Sequence, residues 1–233
     1  MKQKIKMMNN SITIVVPVYN EILLLEQSIT LIVDFMEKHF TNYEIILIES
    51  GSTDGSSEMC NKLASTFSKV MVIHEGKKAG FGSALKLGYK TATKDLVWTI
   101  TVDLPFSLEV IFTALPLFSQ YDCVLSYRTN DKRDSLRKIR SFVYNLIAKK
   151  ILNLKVKHVN SAFKVFKRQV IQNLNLVSLG WAIDAEIVYE ISRRHIRYTD
   201  LPVDIIDRTK GKSYIMFSDP FKMIGELIAI RTK

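Results

Sequence analysis

The sequence predicts an α/β protein in which helices flank a mostly parallel β-sheet. Short runs rich in Val and Ile alternate with segments of helical periodicity through the first half of the chain, an alternation typical of βαβ units. The 233 residues, of which 47% are hydrophobic and 24% charged, are enough for one domain with a sizeable core. Because no long linker interrupts the pattern, we expect a single domain.

The first half contains five predicted strands and three predicted helices. The strands are the apolar, β-branched runs Ile12–Val18, Tyr43–Glu49, Val70–His74, Leu96–Val102 and Asp122–Ser126. The helices run from Glu21 to His39, from a cap at Asp54 to about Thr66, and from the Gly80–Gly82 turn to about Thr93. Parallel sheets bind ligands at the carboxyl ends of their strands, so we expect the chemistry in the loops that follow them.

The second half is richer in helix and in basic residues. An amphipathic basic helix is predicted over Ser135–Leu154, a short strand over Phe163–Phe166, a helix over Trp181–Arg194 and a strand over Arg197–Ile206. A last amphipathic helix starts at Asp219 or Pro220 and ends at about Ile230. Apolar residues at helical spacing predict both amphipathic helices.

Charged residues are distributed unevenly along the chain. Residues 1–119 contain 11 basic and 12 acidic residues, a net charge of −1, whereas residues 120–233 contain 22 and 11, a net charge of +11. This asymmetry favours an anionic partner, either a nucleic acid, a phosphorylated substrate or an anionic lipid surface, although a solvated basic face is the alternative. No helix-turn-helix, RNA-recognition or zinc-finger pattern supports a nucleic acid.

Several other classes of protein are not supported. Two cysteines outside any CxxC pair make neither a disulfide framework nor a structural zinc site. The longest apolar runs are of strand length, so we expect no transmembrane helix and no signal peptide. We expect a protein of the cytoplasm that is peripheral on the cytoplasmic membrane face.

A series of motifs then appears in one order. It comprises Ile14-Val-Val-Pro-Val-Tyr-Asn-Glu21, Gly51-Ser-Thr-Asp-Gly-Ser56, Gly80-Phe-Gly-Ser-Ala-Leu-Lys-Leu-Gly88, Thr101-Val-Asp-Leu104, Ser161-Ala-Phe-Lys164, Asp184-Ala-Glu186, Leu201-Pro-Val203 and the Arg208…Gly211-x-Ser213 loop. This order and spacing resembles the family 2 glycosyltransferases, and within them the dolichol-phosphate mannose synthase and dolichyl-phosphate glucosyltransferase branch. The resemblance covers about residues 10–215.

The resemblance implies a GT-A fold and a hexose transfer with inversion from a nucleoside diphosphate sugar, of the GDP-mannose or UDP-glucose type, to a polyprenyl phosphate. It implies a donor-binding half over 10–128, an acceptor half over 129–215 and a C-terminal amphipathic helix over 216–233. Weakly held Mg²⁺ or Mn²⁺ and an anionic membrane surface are further implied partners, and nucleic acid is not.

Site residues follow from the motifs that match. Donor binding is implied for Pro17, Tyr19, Asn20, Glu21, Ile48, Ser50, Val102 and Lys212. Catalysis is implied for Asp103, which also holds the metal, and for Arg128 and Arg208; the acceptor is implied at Ser161, Lys164 and Asp184. On physical grounds alone Asn20 or Glu21 could instead cap the next helix, and the loop around Arg208 could be a solvated connection.

The chain also departs from the family pattern. Glu49 and Ser50 stand where relatives usually have two aspartates, Thr101 replaces the first aspartate of Asp-x-Asp, and Tyr214 replaces a lysine. A neutral hydroxyl is a weaker hydrogen-bonding group than a carboxylate, so donor and metal affinity should fall. The alternative hypothesis is a catalytically silent relative that binds a nucleotide or a partner. If the acceptor were a hydroxyl, Asp184 would be the candidate base.

Overall fold

The computed structural model describes residues 10–130, 135–154, 156–206 and 219–233. Within them, seven strands form one sheet in the order β3-β2-β1-β4-β6-β5-β7. The strands are β1 (Ile12–Val18), β2 (Tyr43–Glu49), β3 (Val70–His74), β4 (Leu96–Thr99), β5 (Cys123–Arg128), β6 (Lys164–Lys167) and β7 (Tyr198–Val203). All neighbouring pairs are parallel except those that β6 makes with β4 and β5. The prediction of a mostly parallel sheet is confirmed.

Eight α-helices in the described residues pack on the two faces of this sheet. They are α1 (Ile22–His39), α2 (Ser56–Thr66), α3 (Phe81–Thr91), α4 (Val110–Ala114), α5 (Ser135–Leu152), α6 (Arg168–Asn173), α7 (Ile183–Arg193) and α8 (Asp219–Thr232). Buried residues of α1, α2 and α4 cover one face, and those of α3, α5, α6, α7 and α8 cover the other. Both faces of a parallel sheet are thus buried, as such sheets require.

Most predicted elements agree with the structure to within a few residues. The fourth predicted strand is too long, because β4 ends at Thr99 and the chain turns at Thr101–Leu104, where Leu104 N donates to Thr101 O over 3.0 Å. Pro17 lies inside β1 opposite Ile48, and β1 ends at Val18 as predicted. None of the described helices is long and apolar enough to span a membrane.

Candidate active site at the carboxyl edge of the sheet

One edge of the sheet collects most of the candidate site residues. In the described part of the chain, β1–β5 and β7 run in the same direction, so their carboxyl ends meet at this edge, which we call the carboxyl edge. Strand β6 runs the opposite way and begins there, with Lys164 opposite Thr99 of β4 and Leu125 of β5. The fold therefore places Lys164 and Arg128, the last residue of β5, beside the loop that contains Asp103.

The loop after β1 is joined to the loop after β2 by hydrogen bonds. Asn20 has a positive φ of 54°. Its backbone N donates to Ser52 Oγ over 3.0 Å, and its side-chain Oδ1 accepts from Thr53 N over 2.8 Å. Glu21 N donates to Ser56 Oγ over 2.9 Å. Glu21 occupies the N-cap position of α1, where its O accepts from Leu24 N and Leu25 N over 3.0 Å, but its side chain makes no capping hydrogen bond.

Asp54 joins the first turns of α1 and α2. Its Oδ2 accepts from Ile22 N over 3.1 Å, and its Oδ1 accepts from Ser56 N over 3.0 Å and from Ser56 Oγ over 2.6 Å. Burial alone would raise the pKa of the Asp54 carboxyl, but these hydrogen bonds lower it below its ordinary value. The predicted cap at Asp54 is confirmed, and it serves two helices.

Glu49 points into the protein at the end of β2. Its side chain is 2% exposed and contacts His74 Nδ1 at 2.9 Å, while its Oε1 accepts from Ser52 N over 2.5 Å. Burial works to raise the pKa of this carboxyl, and the hydrogen bonds from Ser52 and the contact with His74 outweigh it and lower the pKa. Glu49 is therefore engaged in holding the loop.

Ser50, the next residue, faces the third strand. It is only 5% exposed, and its Oγ donates to Glu75 Oε2 over 2.6 Å. Glu75 Oε1 accepts from Ser83 Oγ in the first turn of α3, also over 2.6 Å. We call these three side chains the Ser50–Glu75–Ser83 bridge. Sequence reasoning identified the loop that starts at Glu75 but not this carboxylate, although its position after a strand was the available signal.

Tyr19 and the loop after β3 form the rim beside this bridge. Lys78 Nζ lies 4.1 Å from the centroid of the Tyr19 ring, at a cation–π distance. Gly80 and Gly82 allow close packing here, because a Cβ at Gly80 would lie 2.2 Å from Leu179 O. The two glycines thus bring the start of α3 against residues 178–180, where the chain makes a tight turn with close packing.

Ile48 and Val102 differ from the other predicted donor residues. Ile48 is 0% exposed and Val102 is 2% exposed, and each belongs to the hydrophobic core on one face of the sheet. Their side chains cannot contact a ligand, so a donor contact would have to come through the backbone.

Asp103 lies in the turn after β4. Thr101 Oγ1 donates to Asp103 Oδ1 over 2.6 Å, so the hydroxyl that replaces the expected first carboxylate orients the second. Asp103 is half-buried, and Ile206 N donates to Pro105 O over 2.8 Å, which ties this turn to the chain that follows β7. Arg208 and Lys212 lie beyond Ile206, outside the described residues.

The oxygen atoms of Asp103 and Thr101 fit a divalent metal ion whose other ligands come from a bound substrate and from water. Among the described residues, no group of three or more His, Cys, Asp and Glu side chains could hold a metal ion. Magnesium, however, often takes only one or two carboxylates, with substrate phosphates and waters completing its shell. One carboxylate, held in place by Thr101, suits that mode of binding.

Ser161 is buried between β5 and β6. Its Oγ accepts from Ser126 N over 2.6 Å and donates to Phe163 O over 2.5 Å, and Phe163 N donates to Ser126 Oγ over 3.0 Å. Ser161 is 4% exposed. These contacts give it a structural role in joining the two strands, and a direct acceptor contact by its side chain stays a prediction.

Lys164 and Asp184 form a buried ion pair. Lys164 Nζ donates to Asp184 Oδ1 over 2.6 Å, and the two side chains are 6% and 13% exposed. Asp184 lies in the first turn of α7, where the positive end of the helix dipole also favours a carboxylate. Two residues implied for the acceptor are thus brought together at the carboxyl edge.

The basic surface near Arg128 includes Lys157, whose Nζ lies 4.1 Å from the centroid of the Tyr127 ring. Arg128 itself is half-buried and lies opposite Val203 of β7. Burial raises the pKa of Asp200 on β7, and the positive charges of Lys157 and His158 act in the opposite direction. Lys157 and His158 therefore add positive charge beside β5, next to the carboxylate of Asp200.

Curated relatives are similar along most of this chain. The undecaprenyl-phosphate 4-deoxy-4-formamido-L-arabinose transferase of Aeromonas hydrophila is 26% identical over 231 residues, which are 97% of this chain and 70% of the relative. The glycosyltransferase AglD of Haloferax volcanii is 24% identical, over 83% of this chain and 32% of the relative. A Pectobacterium atrosepticum protein with the same name as the Aeromonas one is 27% identical, over 69% of this chain and 50% of its own.

Solved structures share the fold. A mannosyltransferase from Pyrobaculum calidifontis, in complex with GDP-Man and Mn²⁺, has a TM-score of 0.64 at 20% identity, covering 91% of this chain and 62% of its own. Glucosyl-3-phosphoglycerate synthase from Mycobacterium tuberculosis, with Mn²⁺, UDP and phosphoglyceric acid, has a TM-score of 0.71 at 19% identity, covering 95% and 77%. At these identities the likeness establishes the fold, which is the GT-A fold expected above.

The family itself follows from a sequence model. The model described as glycosyl transferase family 2 matches residues 13–174, which is more than half of the chain and runs from β1 to the end of α6. The match includes the loops after β1, β2, β3 and β4 and the turn at Asp103. The chain therefore belongs to glycosyl transferase family 2.

Proposed function

We propose that this protein transfers a hexose from a nucleoside diphosphate sugar to a polyprenyl phosphate. Two of the three relatives described above are undecaprenyl-phosphate sugar transferases by name, and one of them matches nearly the whole of this chain. The structural neighbours were solved with GDP-Man or UDP. Because the chain spans only 32% to 70% of these relatives, the acceptor rests on the chemistry of the site as well.

The observation that carries the proposal is the ion pair between Lys164 and Asp184. A sugar hydroxyl must lose a proton as it attacks and so needs a general base. The candidate base, Asp184, is instead held at 2.6 Å by Lys164. A phosphate acceptor is already anionic, needs no base, and is attracted by the net charge of +11 in residues 120–233.

The reaction that suits this arrangement is a single displacement. A phosphate oxygen of the acceptor attacks the anomeric carbon, the bond from that carbon to the diphosphate oxygen breaks, and the nucleoside diphosphate leaves with the bonding electrons. The anomeric configuration inverts, and no proton is transferred. What the site must supply is stabilisation of the negative charge that develops on the diphosphate.

We assign that stabilisation to Asp103, Arg128 and Arg208, with Lys212 contributing from the same loop as Arg208. Bound Mg²⁺ or Mn²⁺, held by Asp103 and the diphosphate oxygens, would supply positive charge at the leaving group. The Thr101 hydroxyl keeps the Asp103 carboxylate oriented for this role. With one protein carboxylate, the metal should be weakly held.

The donor nucleoside is assigned to the loops after β1 and β2. Pro17, Tyr19, Asn20, Glu21 and Ser50 lie at the carboxyl edge, and the hydrogen bonds that join these loops preorganise them. The backbone of Ile48 and Val102 completes this part. On this assignment residues 10–128 bind the donor, 129–215 bind the acceptor, and 216–233 are the C-terminal segment that contains α8.

An anionic membrane surface is the proposed setting for a lipid acceptor. One face of α5 exposes Ile139, Phe142, Val143 and Leu146, each between 45% and 69% exposed, at helical spacing. Lys138 and Lys150 are exposed on the same helix. Exposed apolar residues beside lysines favour a helix that lies in an anionic interface. We place the protein on the cytoplasmic face of the membrane.

Helix α8 differs from α5, because its Leu227 and Ile230 are buried in the core. Ala148 and Leu152 of α5 are buried in the same core, whereas Ile228 of α8 and the apolar residues named above on α5 are exposed.

The test is a transfer assay with radiolabelled GDP-mannose, UDP-glucose and related donors, with a polyprenyl phosphate in anionic vesicles and with Mn²⁺ or Mg²⁺. We expect a labelled lipid product whose formation requires the lipid phosphate. Binding of a nucleotide without turnover of any donor would favour the silent-relative hypothesis, which the single carboxylate at Asp103 supports.

A further inference from the structure

We propose that Glu75 is the residue that selects the nucleobase of the donor, by accepting a hydrogen bond from a ring N–H of guanine or uracil. This inference rests on the proposed function, since it concerns the nucleoside end of the same donor site. It assigns a specificity-determining role to a residue outside the motifs that identified the family.

The first step concerns the carboxylates that are not available. Glu49 is 2% exposed and occupied by Ser52 N and His74. Asp54 is occupied by the first turns of α1 and α2. Ser50, at the end of β2, offers a hydroxyl whose hydrogen is already donated to Glu75. Glu75 also accepts two hydrogen bonds, but both come from serine hydroxyls and neither from a helix N–H or a histidine, so it is the carboxylate at the ends of β2 and β3 that we assign to a ligand.

The second step concerns how Glu75 is held. One of its oxygens accepts from Ser50 Oγ and the other from Ser83 Oγ, both over 2.6 Å. Its backbone is fixed as well, because Glu75 N donates to Glu49 O over 2.8 Å. Each carboxylate oxygen has a further lone pair, and the residue is only half-buried. The described residues provide no Lys, Arg or His ion-pair partner for this carboxylate.

The third step is position. Glu75 follows β3, and Ser50 follows β2, so the Ser50–Glu75–Ser83 bridge lies at the carboxyl edge, where a parallel sheet binds its ligands. The loop that begins at Glu75 also brings Lys78 over the Tyr19 ring. A preorganised acceptor at the start of this loop and an aromatic side chain that the same loop contacts are the two kinds of group that a nucleobase uses, one for its edge and one for its face.

The fourth step is the chemistry of the bases. Guanine and uracil each present a protonated ring nitrogen on their pairing edge, whereas adenine and cytosine present an unprotonated ring nitrogen there. A carboxylate placed at that ring nitrogen accepts from the first kind and is repelled by the lone pair of the second, whose neighbouring amino group can donate to it only from a shifted position. With adenine or cytosine in that position the half-buried carboxylate would lose this hydrogen bond, and a group placed to accept a hydrogen bond discriminates against a ligand that lacks the donor. Glu75 should therefore favour GDP and UDP over ADP and CDP.

The experiment is titration calorimetry of GDP, UDP, ADP and CDP with the full chain and with Glu75→Gln. In the wild type we expect GDP or UDP to bind at least about tenfold more tightly than ADP and CDP, because hydrogen bonds to a charged acceptor are the stronger ones. In Glu75→Gln that preference should fall at least about fivefold, with ADP binding unchanged. Glu58→Gln, an exposed glutamate on α2, is the matched control and should keep the preference.

A second variant moves the carboxylate. In Ser50→Asp/Glu75→Gln the carboxylate is at position 50, and the amide at position 75 can donate to it. The preference for GDP or UDP should then return. This rescue separates base reading from a purely structural bridge, which the double variant would not repair.

The outcomes also separate this inference from the proposed function. Wild-type protein that binds no nucleoside diphosphate would overturn both. Wild-type protein that binds all four nucleotides alike would overturn the role of Glu75 even if Glu75→Gln failed to fold. A preference for GDP or UDP that survives in a folded Glu75→Gln variant would overturn it too, and would leave the proposed function standing.

Discussion

The two halves of the molecule hold their polar groups in different ways. In residues 10–128 the loops at the carboxyl edge are joined by hydrogen bonds between side chains and backbone, around Asn20, Ser52 and Asp54. In the second half the main polar feature at the same edge is a buried ion pair, Lys164–Asp184. The first half has almost no net charge and the second has a net charge of +11.

This difference matches what we propose that each half binds. A nucleoside is read through directional hydrogen bonds, and loops fixed by backbone contacts keep those groups in place. A lipid phosphate is recognised mainly by charge, which acts at longer range and needs less precise geometry. The comparison implies that variants in the two halves should fail in different ways.

The largest effect is expected from breaking the buried ion pair. Lys164→Met leaves Asp184 buried without its partner, which costs about 3–5 kcal/mol in the free energy of unfolding. The matched change in the first half is Lys62→Met, which removes an ion pair to Glu26 between side chains that are 61% and 54% exposed. That change should cost no more than about 1 kcal/mol. Urea unfolding of both variants measures the difference.

A double variant tests whether the unpaired buried charge causes the loss of stability. Lys164→Met/Asp184→Leu removes both charges and should recover most of the lost stability, because apolar replacement of a whole buried pair is often close to neutral. Equal stability of wild type and Lys164→Met would show that the two halves do not differ in this respect.

The next effect concerns turnover. Asp103→Asn removes the one carboxylate that the turn after β4 offers to the metal and the diphosphate. We expect turnover to fall at least about hundredfold, the size of effect seen when one preorganised charge-stabilising group is lost. Asp34→Asn, on the exposed face of α1, is the control. Steady-state kinetics with Mn²⁺ decide the point, and unchanged kinetics in Asp103→Asn would remove Asp103 from the site.

A smaller effect is expected at Arg208. Arginine binds a phosphate through two parallel hydrogen bonds, which lysine cannot make. Arg208→Lys should therefore lower turnover about tenfold, or roughly 1.4 kcal/mol, and lower donor binding less, because the loop acts on charge that develops as the bond breaks. Arg231→Lys, exposed near the end of α8, is the control. Wild-type turnover in Arg208→Lys would support the alternative that the segment around Arg208 is a solvated connection without a role in catalysis.

The fold was predictable where one physical signal dominates. Strands β1 and β2 are buried runs rich in Val and Ile, and β3 is a partly buried one. All three end in polar turns, and their predicted bounds match the structure. Val102 continues the apolar run after β4 and is buried in the core, yet it lies outside the sheet, so hydropathy alone made that strand too long. Helices α4 and α6 have five and six residues, too few for helical periodicity to be detected.

The site was predictable by loop but less so by side chain. The rule that ligands bind at the carboxyl ends of parallel strands located the turns at Asn20, Asp103 and Glu75. It could not show that the Glu49 side chain contacts His74 while the Ser50 hydroxyl donates to Glu75. Successive residues of a strand point to opposite faces, and the sequence does not show which face each one takes at the strand end. The pairing of Lys164 with Asp184 joins residues 20 positions apart and depends on how α7 packs.

The smallest effect concerns the membrane surface of the second half. Lys138 and Lys150 are exposed on α5, beside its exposed apolar residues. Each basic residue near an anionic surface contributes about 1 kcal/mol, so Lys138→Gln and Lys150→Gln should each weaken binding to anionic vesicles about fivefold. Lys90→Gln removes an equally exposed lysine from α3 in the first half and should leave binding unchanged.

Salt provides the internal check on this comparison. Screening shortens electrostatic attraction to about 10 Å at 0.1 M salt and to about 3 Å at 1 M, so the difference between the α5 variants and wild type should shrink as salt is raised. Residual binding at high salt should depend on the apolar face, and Phe142→Ser, which shortens a side chain that is 69% exposed, should reduce it. Co-sedimentation with neutral and anionic vesicles measures both components. If Lys90→Gln weakened binding as much as Lys138→Gln, the attraction would belong to the whole surface, and α5 would lose its assignment as the membrane-facing element.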